Sequence, residues 1–139
     1  MISIKIDSNL KAVNGDLDMA IEKALYSIGV TAQGDIVKYM SKPDFTGKDI
    51  VDTGRLRGSI SFVTPEKNSG ANDSNAKDGD ALSGAGEDRT VIIGSNVEYA
   101  DYVNNGTLRQ PARKFMENGI EPNAEKYQKL ARDIFEGKV

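Results

Sequence analysis

Residues 16–41 read DLDMAIEKALYSIGVTAQGDIVKYMS. Leu17, Ile21, Ala24, Leu25, Ile28, Ala32, Ile36, Val37 and Met40 recur at three- and four-residue spacing, the repeat of a helix with one apolar face. Asp16, Asp18 and Glu22 stand in the opening turns, where carboxylates face the unpaired backbone N–H groups. Lys42-Pro43 ends the run, because proline disfavours helical backbone in the residue before it. Gly29 and Gly34 weaken the middle and mark a kink or a close helix contact. A helix of this length needs its apolar face covered, so the neighbouring segments decide the fold.

Upstream, Ile2, Ile4 and Ile6 alternate with Ser3, Lys5 and Asp7, which predicts a short strand, and Asn14-Gly15 is a turn signal. Downstream, 44–51 reads as irregular, and Thr53-Gly54-Arg55-Leu56-Arg57-Gly58 as a turn or one short helical turn. Residues 59–64 alternate as a strand, and Thr90-Val91-Ile92-Ile93-Gly94 is the second strong strand. Ser95-Asn96-Val97-Glu98 fits a capping box opening a short helix through Tyr99, Ala100, Tyr102 and Val103. Asn104-Asn105-Gly106 closes it, since Asn and Gly tolerate left-handed backbone. A final helix is expected from roughly Glu121 to Glu136, with Pro122 in its first turn. Ala124, Tyr127, Leu130, Ala131, Ile134 and Phe135 share one face of it. The order is that of an α+β domain, a small antiparallel sheet packed with a long N-terminal and a C-terminal helix. No internal repeat is visible, so residues 1–139 read as one domain.

Between the two downstream strands, residues 65–89 change composition sharply. Asn68 to Asp80 contains no residue larger than Lys to anchor it, which predicts a flexible loop rather than a domain boundary. The apolar fraction of 38% is low for a fold of 139 residues. Part of the chain is therefore expected to be disordered, or neighbouring subunits complete part of its apolar surface.

The chain has no Cys and no His. That excludes disulfides, Ser-His and Cys-His nucleophile pairs, His- or thiolate-bound zinc and a histidine general base. Net charge is -3, so no global basic footprint for nucleic acid exists. Met1 to Asp7 lacks a secretory apolar segment, and no apolar run is long enough for a bilayer, so no membrane partner is expected.

Asp52-Thr53-Gly54 after Ile50-Val51, with Val91-Ile92-Ile93-Gly94 downstream, resembles the retroviral-type aspartic proteases. Such an enzyme would pair Asp52 with its copy from a second chain to activate water. Against this, the residue after the motif is Arg55 where that family has a small one, and no Gly-rich flap follows. The plainer reading is that Asp52 caps a turn. Asn72-Asp73-Ser74 and Asn105-Gly106-Thr107 match glycosylation sequons by chance composition. Asp73, Asp78, Asp80, Glu87 and Asp88 do not reproduce the ligand alternation of a calcium loop, and Ser83-Gly84-Ala85-Gly86 lacks the Lys-Ser/Thr of a phosphate loop. No catalytic residue, cofactor site or metal site is expected.

Three segments in order resemble the bacteriophage tail-component family typified by the gp10 protein of phage HK97. Asp52–Ile60 is similar to that family's T-G-x-L-x-x-S-I, Val91–Thr107 to its V-G-x-x-x-x-Y-A-x-x-V-E-x-G-T, and Gln110–Met116 to its x-P-A-R-P-F-[LM]. Asn104 or Asn105 stands where an acidic residue is usual, and Lys114 replaces the second Pro. The resemblance implies a non-enzymatic virion protein, a neck or tail-completion subunit joining head and tail as a closed ring around the DNA channel. Its expected partners are copies of itself, six by expectation, other neck, connector or tail proteins, and transiently the passing DNA. Its expected locations are the host bacterial cytoplasm and then the virion. Arg55, Arg57, Tyr99, Tyr102, Arg109, Arg113 and Lys114 are the candidate interface residues, aromatics as anchors and cations facing acidic neighbours or phosphates. For Tyr99, Tyr102, Val103 and Phe115 the competing expectation is intramolecular core; for the cations it is a solvated or ion-paired surface.

Overall fold

The computed structural model describes residues 1–6, 16–42, 53–84, 86–108 and 111–137. Helix α1 spans Asp16–Met40, as its spacing requires. Its inward face buries Ile21, Ala24, Leu25, Ile28, Ala32, Ile36 and Met40 almost completely. Each buried Leu or Ile stabilises the fold by about 1.5–3 kcal/mol relative to exposure, so this face is the backbone of the core.

The sheet has three antiparallel strands, β1 (Ile2–Lys5), β2 (Ser61–Val63) and β3 (Thr90–Gly94), in the order β1-β3-β2. Ile4 pairs with Val91 and Phe62 with Ile93. The central position of β3 explains its nearly continuous apolar reading, because both of its faces are covered. The Phe62 ring lies directly against Gly29 of α1, where a β-carbon would collide with it. Gly29 therefore marks a close approach of helix and strand, not of two helices. Gly34 has open space around it.

Strand β2 alternates in sequence yet is buried on both faces. The reason is that the chain folds back over it. The Leu82 N–H donates to Ser61 Oγ at 2.7 Å, and Ser61 Oγ donates to the Gly94 carbonyl at 3.2 Å. Two serines are thus buried with their hydroxyls engaged, Ser59 being the second.

Past β2 the chain turns and returns along the strand's outer edge. The Thr64 N–H donates to the Lys67 carbonyl (2.8 Å), the Ser69 N–H to the Phe62 carbonyl (2.9 Å) and the Phe62 N–H to Ser69 Oγ (2.8 Å). Asn72 then fastens the chain to the segment leading into β2. Its backbone N–H donates to the Gly58 carbonyl at 2.8 Å and its amide to the Ile60 carbonyl at 3.0 Å. Among the described residues, 65–84 and 86–89 are irregular, as their composition implies, but the segment is anchored by amides, hydroxyls and a carboxylate. An anchor need not be a large apolar side chain.

Helix α2 (Thr53–Ser59) is longer than the single turn expected. Helix α3 runs Ala100–Asn105 and closes at Gly106, whose φ of 80° few other residues adopt. The expected final helix is in two parts. Helix α4 (Phe115–Ile120) begins ahead of the expected start, a 3₁₀ turn spans Glu121–Asn123, and α5 runs Ala124–Phe135. Pro122 has no N–H to donate, which interrupts the α-helical ladder there while suiting the entry into α5. Gly119 of α4 sits 2.9 Å (from an added β-carbon) from Ile36 of α1, so only a glycine permits this packing. On α5, Tyr127 and Ile134 are buried, Leu130, Ala131 and Phe135 are half-buried and Ala124 is exposed. The buried Tyr127 hydroxyl donates to Asp35 of α1 at 2.7 Å, and Lys126 pairs with the same carboxylate at 2.9 Å. The architecture is α+β, one long and one C-terminal helix with a small antiparallel sheet. Among the described residues no helix is long and apolar enough to cross a membrane.

Candidate functional site

The second and third motif segments adjoin in the chain, and the first, distant in sequence, meets the second beyond the Gly94 end of β3. Helix α2 carries Arg55 to where the segment ahead of β3 meets the loop after it. There Arg55 Nε and Nη2 each donate to Asp80 at 2.8 Å, and Nη1 and Nη2 donate to Glu98 at 3.1 Å. Its guanidinium also lies 5.6 Å from the centre of the Tyr99 ring. A planar fork of donors suits two carboxylates and an aromatic face at once, which a lysine would not.

Asp80 is buried and also accepts from the Lys77 N–H at 2.8 Å. The Arg55 hydrogen bonds hold its carboxyl below the usual range, against the opposing effect of burial. Glu98 is lowered as well, first by its own backbone N–H and then by Arg55, while the two carboxylates raise Arg55 above its ordinary value. A second tie joins Ser59 Oγ at the end of α2 to Ser95 Oγ at 2.6 Å.

This arrangement corrects the expected capping box. Ser95 Oγ accepts from the Val97 N–H, a local turn, and Glu98 is engaged by Arg55. Helix α3 starts only at Ala100, with Tyr99 at the N-cap and no side-chain cap. Ser95 and Glu98 have the right spacing, but partners elsewhere in the fold claim both side chains.

The third segment is clasped to the second by its backbone. The Arg113 N–H donates to the Val103 carbonyl and the Lys114 N–H to the Asn104 carbonyl, both at 2.9 Å. Asn104 is buried. Its Oδ1 accepts the Met116 N–H at 3.1 Å while its Nδ2 donates to Glu117 at 3.2 Å. An acidic residue there could accept but not donate. Lys114 has φ 46°. Proline, fixed near −65° and without an N–H, could neither adopt that angle nor make that bond. Both departures from the tail-component pattern thus have a local structural reason.

Arg55 and Tyr99 come together in the ionic junction, both half-buried. Arg57, two residues further along α2, donates instead to Ser41 Oγ just past the end of α1 at 3.2 Å. Tyr102 is 61% exposed, Lys114 is exposed and Arg113 half-buried. Arg109 and Asp52 lie outside the described residues. Val103 and Phe115 are core, as the intramolecular reading has it. Sequence reasoning misses Asp80, hidden in a low-complexity run, and Leu108, which is fully exposed beyond α3. Leu108 does carry a signal, being a large apolar residue in a polar loop.

Two concavities flank these elements. One, of about 350 Å³, is polar and lies at the Gly94 end of β3, between Ser95, Asp101, Asn104 and Phe115. The other is an open apolar groove of about 650 Å³ between β1 and α5, lined by Ile4, Ile6, Ile28, Tyr127, Ala131 and Phe135. Among the described residues no three acidic side chains converge as metal ligands would. No family model, curated protein or solved structure matches the chain.

Proposed function

We propose that this chain is a non-enzymatic structural subunit of a tailed-phage or prophage-derived neck or tail-completion ring, joining head and tail around the DNA channel. The observation that carries the reading is the meeting of the three segments that resemble the tail-component pattern. Arg55 of the first reaches Glu98 and Tyr99 of the second, and Val103 and Asn104 of the second accept from Arg113 and Lys114 of the third. The second and third segments adjoin in the chain, so the contact of the first with the second is the one that sequence proximity does not supply.

The chemistry of the surface agrees. Arg55 is satisfied within the chain by its two carboxylates, so it rigidifies the surface and offers no nucleophile or base. Tyr102 and Leu108 remain outward as apolar contact groups. Closed rings are made by repeating one contact between unlike surfaces, and aromatics concentrate the energy of such contacts.

The test is immunogold labelling of phage particles from a lysate of the source strain, with the denatured particles probed for the protein. Label at the head–tail junction or the upper tail is the expected result. Intact particles with neither label nor band remove the protein from the virion. An Asp52-dependent protease, abolished by Asp52→Asn, or an interaction domain outside the particle would then take its place.

A further inference from the structure

Asparagine is followed by glycine at residues 14–15, 105–106 and 118–119. The first pair lies outside the described residues, and the other two stand in opposite settings. We propose that Asn105 is a self-modification site, where the Gly106 nitrogen converts the side-chain amide into a carboxylate, and that the fold holds Asn118 unreactive. The inference goes beyond the ring reading and does not depend on it, since it rests on one exposed helix end.

The chemistry uses only the chain and water. The Gly106 nitrogen loses its proton to solvent and bonds to Asn105 Cγ, while the Cγ–Nδ2 bond breaks and ammonia leaves, taking up a proton from water. The five-membered imide then adds one water, which opens it at either carbonyl. Opening at Cγ leaves aspartate, and opening at the main-chain carbonyl leaves isoaspartate, whose backbone is one methylene longer. Glycine permits the closure because it has no β-carbon to crowd the ring.

Ring closure also needs the asparagine to leave its helical backbone angle, so position decides the rate. Asn105 is exposed and is the last residue of α3. A helix of six residues frays readily at its end. The bond given up there is the one from the Gly106 N–H to the Tyr102 carbonyl at 2.9 Å, and Gly106 is already outside the helix. Asn118 is exposed too, but its Nδ2 donates to Tyr39 Oη at 2.9 Å. Gly119 is buried against Ile36 of α1, and the chain continues through the 3₁₀ turn into α5. Moving that nitrogen means undocking α4 from the core.

The product acts back on the helix that makes it. A carboxylate at residue 105 stands four residues after Asp101, where like charges repel, and at a helix C-terminus, where negative charge is unfavourable. Fraying promotes the reaction, and the reaction promotes fraying. The change falls on the same short helix as the outward Tyr102, so it marks aged copies on an exposed surface.

The full chain is incubated at mildly alkaline pH, folded and in urea, then digested with trypsin. Fragment mass spectrometry reads the amide-to-acid gain and the isoaspartate at each position. Cleavage after Arg89 and Arg109, and after Lys114 and Lys126, puts the two asparagines on separate peptides. In the folded chain Asn105 is expected to convert at least roughly tenfold faster than Asn118, because local fraying is far more frequent than opening of the core. In urea the two rates should come together. Equal rates in the folded chain, or an Asn105 left intact over the time in which the urea-unfolded chain converts, overturns the proposal. A gap that persists in urea would do so as well, by assigning the difference to neighbouring sequence.

Discussion

The inner face of α1 and the junction around Arg55 hold the molecule together by opposite means. The helix contributes seven buried apolar side chains at regular spacing, from Ile21 to Met40. The junction contributes one cation, two carboxylates and a pair of serines, drawn from residues 55, 59, 80, 95 and 98. Burial is non-directional and tolerates small shifts, whereas a forked guanidinium between two carboxylates does not. The first region should fail by gradual loosening and the second by release of the segment it pins.

Substitutions put that difference to the test. The largest effect is expected from Leu25→Ala, at a fully buried position, costing about 3–4 kcal/mol by lost transfer energy and an unfilled cavity. Chemical denaturation should show it as a lowered midpoint with the slope unchanged. Asp80→Asn should instead act locally. It loosens the segment around Asp80, raising the rate of proteolytic nicking there roughly tenfold while leaving α1 resistant. Uniform sensitivity along the chain would mean that the two regions do not fail separately.

Acid separates them further. Asp80 and Glu98 have carboxyls lowered on folding. Their contribution is therefore complete above the unfolded carboxyl pKa of about 4 and lost as pH falls through the lower folded values. Melting temperature should drop more steeply below about pH 4 in the parent than in Asp80→Asn. Next in size, Asn104→Asp removes the donor to Glu117 and sets two acids together, costing about 1–2 kcal/mol by thermal unfolding. The smallest change is a gain. Gly34→Ala meets nothing within 4 Å on α1 and should stabilise by about 0.5–1 kcal/mol.

The same contrast separates what the sequence discloses from what it withholds. The long helix, the β2–β3 pairing and the α+β class follow from periodicity, because a buried face leaves a repeat in the chain. Pro122 points correctly to a helical first turn, yet nothing points to α4 ahead of it, since Phe115–Ile120 is too short to show a period. Arg55 and Tyr99 stand out in the sequence as interface candidates, and the structure brings them together in an intramolecular junction with Asp80. A polar tie has no period, only a partner, and Asp80 lies 25 residues from Arg55 inside a run that resembles solvent-exposed filler. Glu98 shows the hazard in the other direction, its spacing from Ser95 suggesting a cap that its partner precludes.

One pairing bears on how the chain reaches this state. Ile2 lies opposite Ile93, and Tyr127 bonds to Asp35 across 92 residues of sequence. During synthesis α1 can coil as soon as it emerges, but β1 must wait until Thr90–Gly94 has been made before its neighbour exists. Such non-local closure is slow relative to helix formation. Until it happens the alternating isoleucines at the start of the chain are an unpaired, adhesive edge, the kind of segment that chaperones shield and that sets the yield of folded protein in the cell.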